Sequence, residues 1–193
     1  GGSTWSKALR TACVMLEWTD GTLEGWPCAN VTSTATQIYA DREGGIKFLT
    51  GNFIMKAVGA GCWMSKTSTP SAAVRFNVYA GASTTAASRP LLASTYWVAA
   101  NLVSSSRAHS ISFFSSPVVI PANNWITVAA DEDSNADSSS ARYNVSTVQL
   151  MNSYAQYWWR WSGTSPLSTY RTTTSGDWTD TDKEFATCYL ILD

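Results

Sequence analysis

The sequence predicts an all-β protein: a jelly-roll-like antiparallel β-sandwich forming a single domain behind a short N-terminal arm. Three observations carry this. Apolar residues nowhere recur at i, i+3, i+4, i+7 over three turns, so the helical signal is almost absent. Period-two alternation recurs instead, as in Val74, Phe76 and Val78 against Arg75, Asn77 and Tyr79. Turn signals such as Asp20-Gly21, Gly44-Gly45, Gly51-Asn52, Gly81 and Pro121-Ala122-Asn123-Asn124 separate many short segments. Many short strands between Gly, Pro and Asn turns mean a sandwich or jelly roll.

The elements follow in order. Gly1 to Arg10 shows no strand period and is expected to be an arm (residues 1–10) ahead of the sandwich (residues 11–193). Strands are expected at Thr11–Trp18, Thr36–Ala40, Ile46–Leu49, Phe53–Met64, Ala73–Tyr79 and Leu91–Val98. In His109–Phe114, Ile111 and Phe113 alternate with Ser110 and Ser112. Trp125–Ala130 puts Ile126 and Val128 on one face. The remaining strands are Arg142–Met151, Gln156–Trp161, Leu167–Thr173 and Glu184–Leu192, the last apolar on both sides. Val74, Phe76, Val78, Ile126 and Val128 are the expected core. No linker divides the chain and no internal repeat is visible.

At 193 residues the chain can bury about 70% of its unfolded surface and build its own core. Its 13 basic and 14 acidic residues leave a net charge of −1, which excludes the electrostatic footprint of a nucleic-acid binder. Charged residues make up only 14% of the chain, and 26 Ser and 23 Thr take their place on the surface. No apolar run approaches the ~20 residues that span a bilayer, so no membrane partner is expected. No basic stretch followed by an apolar one opens the sequence, so no signal peptide is expected in it. It begins Gly1-Gly2-Ser3 without Met, as a processed product, a tag remnant or a piece of a longer chain would.

The four cysteines, Cys13, Cys28, Cys62 and Cys188, show no CxxC spacing. Four cysteines allow three pairings, and spacing cannot choose among them. Three sit in apolar strand-like stretches, which favours buried free thiols. Catalytic signals are thin. His109 is the lone imidazole, no G-x-S-x-G occurs, and Glu17, Glu24, Glu43, Glu132 and Glu184 are scattered. No catalytic residue is assigned, and the chain reads as a non-enzyme.

Two constellations remain as sites. Asp131, Asp133, Asn135 and Asp137 follow the D-x-D-x-N-x-D spacing of calcium loops, whose alternate oxygens converge on one ion when the chain turns tightly. Ala136 stands where such loops carry Gly, and Arg142 where they carry a bidentate Glu. Calcium is thus the one cofactor candidate, against a solvated loop. The second is the aromatic cluster Tyr154, Tyr157, Trp158, Trp159 and Trp161. At strand period one face packs inward and the other presents Trp158 and Arg160, the composition of an interface hot spot or a glycan platform. Trp5 in the arm is a further interface candidate.

The chain also resembles a known group. Gly45-Ile46-Lys47-Phe48-Leu49-Thr50-Gly51-Asn52-Phe53 through Cys62-Trp63-Met64 reads like the opening strands of jelly-roll domains in tailed-phage virion proteins. Val74 to Gly81 followed by Arg89-Pro90-Leu91-Leu92-Ala93 looks like their strand–glycine turn–Pro-Leu step. Ser116-Pro117-Val118-Val119-Ile120-Pro121-Ala122, then Trp125-Ile126-Thr127-Val128, is similar to a later strand entry. Gly176-Asp177-Trp178-Thr179 resembles their closing turn. The resemblance covers about Ile46 to Leu192. It implies a structural or adhesion module of a phage virion: a capsid decoration, head or tail fibre, or baseplate component. Its partners would be copies of itself, other virion proteins or a host-surface glycan. A carbohydrate-binding module of a secreted or receptor-binding protein is the first rival and a glycan-degrading enzyme the second.

Overall fold

The structure is a computed structural model that describes residues 15–17, 23–25, 29–133, 137–150, 167–173, 175–181 and 185–193. The arm with Trp5, the expected strand at Gln156–Trp161 with Trp158 and Arg160, and Asn135 lie outside the described residues.

The chain is all-β, with two antiparallel sheets packed face to face. β1 (Met15–Glu17) and β2 (Leu23–Gly25) form a small separate hairpin. Eight strands follow: β3 (Ala29–Ile38), β4 (Glu43–Leu49), β5 (Met55–Thr67), β6 (Val74–Ala80), β7 (Leu91–Ser94), β8 (Ala108–Ile120), β9 (Trp125–Glu132) and β10 (Arg142–Leu150). They pair as nested antiparallel couples, β3 with β10, β4 with β9, β5 with β8, and β6 with β7. A long hairpin wound on itself in this way is a jelly roll. β3, β10, β5 and β8 lie in the first sheet; β4, β9, β6 and β7 lie in the second. β11 (Leu167–Arg171) and β12 (Thr179–Thr181) extend the second sheet beside β4, and β13 (Phe185–Ala186) and β14 (Tyr189–Leu192) complete the first.

The core lies where the two sheets face each other. Val74, Phe76 and Val78 from β6, with Ile126, Val128 and Ala130 from β9, meet Ala60, Cys62 and Met64 from β5 and Tyr143 and Val145 from β10. All five expected core residues are fully buried. Each large apolar side chain sealed this way contributes ~1.5–3 kcal/mol.

Several strands differ from the expectation: β3 runs Ala29–Ile38 rather than Thr36–Ala40, and two others differ for identifiable reasons. β8 continues past Phe114 through Pro117 to Ile120. The ladder with β5 shifts register between the pairs Gly59–Phe113 and Ala57–Val118. Pro117 falls within that irregularity, where a strand tolerates a residue without an N–H. The single strand expected at Glu184–Leu192 is two. β13 pairs with β10, and β14 then crosses to β5. The Thr187 hydroxyl sits between them, accepting from the Trp63 amide at 3.1 Å and donating to the Trp63 carbonyl at 3.2 Å.

Candidate functional site

The outer face of the second sheet carries charge, and the charge is buried. Alternation in β4, β6, β9 and β11 turns Glu43, Lys47, Asn77, Tyr79, Thr127, Asp131, Thr169 and Arg171 away from the apolar core. All are buried again on the far side. Two connections supply the cover. The β6–β7 loop and the β11–β12 loop interlock through a Trp178 amide bond to the Thr84 carbonyl at 2.7 Å and an Ala86 amide bond to Asp177 at 3.0 Å.

Beneath them lie two ionic clusters. Glu43 accepts from Asn77 and from the Tyr79 hydroxyl, each at 2.6 Å, and forms an ion pair with Arg171. Asp180 accepts from Arg89 at 2.8 Å, Lys47 at 2.7 Å and the Thr169 hydroxyl at 2.7 Å. Trp178 bridges the clusters, its ring 5.1 Å from the Arg89 guanidinium and 4.7 Å from that of Arg171. Burial works to raise the Asp180 carboxyl, but the hydrogen bonds from Arg89, Lys47 and Thr169 outweigh it and hold it below its ordinary value. Burial and the Glu43 charge push the Tyr79 hydroxyl well up. Glu43 and Asp180 are saturated with donors and roofed over, so this arrangement fixes loops onto a sheet rather than presenting a carboxylate to a substrate.

The acidic segment 131–137 divides among different partners. Asp131 Oδ2 accepts from Arg75 at 3.2 Å and from Asn77 at 3.1 Å. Asp137 accepts from the Ser71 amide at 2.8 Å, the Ser71 hydroxyl at 3.1 Å and the Ala72 amide at 3.2 Å. Asp133 is exposed. Among the described residues, no group of three or more His, Cys, Asp or Glu side chains is placed to hold a metal ion. Asp131 Oδ1 is buried without a partner; burial and the Glu43 charge lift this carboxyl to about 6 against the pull of Arg75. Glu132, which the calcium pattern skips, is the more exceptional group. It is 4% exposed, and neither carboxylate oxygen has a hydrogen-bond partner. Burial, then the charge of Asp137, lifts it to about 7, against the opposing pull of the nearby Asp137 and Ala40 amides.

The outer face of the first sheet is the contrasting surface. In β8 the usual polarity is inverted: Ser110 and Ser112 are buried, while Ile111 and Phe113 are 46% and 54% exposed. The Ser112 hydroxyl meets its inward demand by donating to the Tyr96 carbonyl at 2.7 Å. Across β5, Phe113 and Ile191 flank Gly59, while Ile111 and Tyr189 flank Gly61. A Cβ on Gly59 would stand 3.0 Å from Phe113 and 3.3 Å from Ile191, so these side chains close over bare backbone. Val119, 57% exposed and opposite Lys56, extends the strip to one end. At the other end His109 packs on Trp63 with ring centroids 4.5 Å apart, and its Nδ1 lies 2.9 Å from the Tyr189 hydroxyl. Burial lowers the imidazole from its ordinary value, so it is neutral at pH 7 and adds no charge to the strip.

Of the residues singled out from sequence, Asp131, Asp133 and Asp137 are described and do not share one set of partners; Asn135, Trp5, Trp158 and Arg160 fall outside. The strip built on Ile111 and Phe113 was missed. Its signal was present in the Ser-Ile-Ser-Phe alternation, but pattern alone does not say which side faces in. Comparison with protein-family models, with curated proteins and with solved structures found no match.

Proposed function

We propose that this chain is a non-enzymatic structural or adhesion module that works by association with copies of itself, in the setting of a phage virion particle. The single observation that carries the association is the apolar strip on the first sheet, Ile111, Phe113, Val119, Tyr189 and Ile191, which has little charge along it. Contiguous exposed apolar surface marks an interaction site on a soluble protein. A flat sheet face offers the same patch to a second copy and so suits a self-complementary contact. The virion setting rests on the sequence resemblance, with the jelly-roll topology as fold-level support; the same topology serves capsid proteins and lectins alike.

Light scattering and sedimentation on the purified chain test this. An oligomer that dissociates when Ile111 and Phe113 are both changed to Ser supports the proposal; both side chains are exposed, so the fold should survive. A strictly monomeric parent at high concentration overturns it. Retention of that monomer on a polysaccharide column would favour the carbohydrate-binding alternative.

A further inference from the structure

Cys62 and Cys188 are free, buried neighbours, the first in β5 and the second immediately ahead of β14. Tyr189 pairs with Gly61, and the Thr187 hydroxyl is bonded to both the amide and the carbonyl of Trp63, while the Thr187 amide donates to the Ser146 carbonyl of β10. Extending the β14–β5 ladder by one residue brings Cys188 beside Cys62. Both side chains belong to the core cluster, so they point to the same side of the sheet. Residues opposite one another on antiparallel strands have Cα atoms ~4.5–5.5 Å apart, inside the ~4.4–6.8 Å that a disulfide spans. Burial raises the Cys62 thiol well above its ordinary value, and the hydrogen-bonded Cys188 thiol raises it further.

We infer that Cys62 and Cys188 are a cross-strand dithiol that closes to a disulfide when the chain folds in an oxidising medium. With a small-molecule disulfide as oxidant the step balances. One cysteine, as thiolate, attacks a sulfur of RSSR and expels RS⁻. The second, as thiolate, attacks the protein sulfur of the mixed disulfide and expels another RS⁻. The two protons given up by the cysteines leave with these as two RSH; the protein is oxidised by two electrons and RSSR is reduced. The raised thiol makes the docked pair a poor nucleophile. The bond therefore forms before β14 settles onto β5, or when that four-residue terminal strand opens. Once formed, it ties the end of the chain to the long strand through which the first sheet is joined.

The test is refolding of the full chain from urea in oxidised and reduced glutathione buffers, followed by denaturation, alkylation and proteolytic peptide mapping. The expected result is a cross-linked peptide joining Cys62 to Cys188, absent in the reduced buffer and absent in Cys188→Ala, where Cys62 is recovered alkylated. The mapping of the unaltered chain stands alone if the variant fails to fold. The inference is overturned if Cys62 and Cys188 are recovered alkylated after oxidative refolding, or if either is joined to Cys13 or Cys28.

Discussion

Glu132→Gln isolates the most poorly accommodated group in the described structure. The folded protein holds the Glu132 proton up to about 7, whereas the unfolded chain releases it near 4.5. Between those values the folded state binds more protons than the unfolded state. Stability must then fall as pH rises from about 4.5 to about 7, and stay level above. The full separation corresponds to roughly 3 kcal/mol; Glu132 ends β9 at the rim of the sandwich, where solvent screening trims this to ~1–3 kcal/mol. Glutamine keeps the shape and removes the titration. Urea unfolding followed by tryptophan fluorescence, for both proteins at pH 5 and pH 8, gives the quantity needed. The variant should gain ~1–3 kcal/mol on the parent between pH 5 and pH 8. Any fixed cost of burying the amide cancels in that difference; the titration of Asp131 cancels apart from its coulombic coupling to Glu132. A difference that stays constant with pH would refute the reasoning.

Phe76→Ala removes a fully buried ring from the centre of the core and should cost ~3–5 kcal/mol in the same unfolding assay. A loss below ~1 kcal/mol would contradict its placement. Arg171→Ala leaves the Glu43 carboxylate buried without its cation and should cost ~3–5 kcal/mol in the same assay. A loss below ~1 kcal/mol would mean that the buried charge of Glu43 is not what Arg171 answers. His109→Ala, on an exposed site, should leave the unfolding midpoint within the ~0.5 kcal/mol usual for surface changes. A larger loss would show that the ring on Trp63 and Tyr189 is structural.

The fold was readable because a half-buried strand states its period directly. Val74-Arg75-Phe76-Asn77-Val78 needs no partner to be recognised, and glycine and proline turns mark where strands end. Topology was less accessible. The nested pairing of β3 to β10 is a set of long-range contacts, and alternation in one strand carries nothing about which other strand it meets. The splitting of Glu184–Leu192 into β13 and β14 illustrates this. Both halves are apolar, and only the available edges of β10 and β5 decide where one strand becomes two. Thr179–Thr181 escaped for the opposite reason: three polar residues beside β11 have no apolar pattern to announce them.

The sites show a deeper reason for the limits of pattern. Polarity alternation is normally read as apolar in and polar out, and both sheets here break that rule in opposite directions. On the second sheet, Glu43, Lys47 and Asp131 alternate as solvent-facing residues would, yet all three are buried and paired with Arg171, Asp180 and Arg75. Such a layer is tolerable only because nearly every charge finds a partner of opposite sign or a hydrogen bond. On the first sheet, Ile111 and Phe113 alternate as core residues would, yet it is Ser110 and Ser112 that turn inward. The small serines turn inward opposite Ala60 and Cys62 of β5, where a second row of large side chains would overfill the sandwich. The sequence records residue type, whereas the sign of each face depends on what the loops bring to cover it. A buried ionic layer holds loops in place at the cost of desolvation; an uncovered apolar strip costs solubility. Among the described residues, most of the layer's charges find partners within the chain. The strip stays uncovered by them, and this asymmetry is the physical reason to seek this protein's activity in what the first sheet touches.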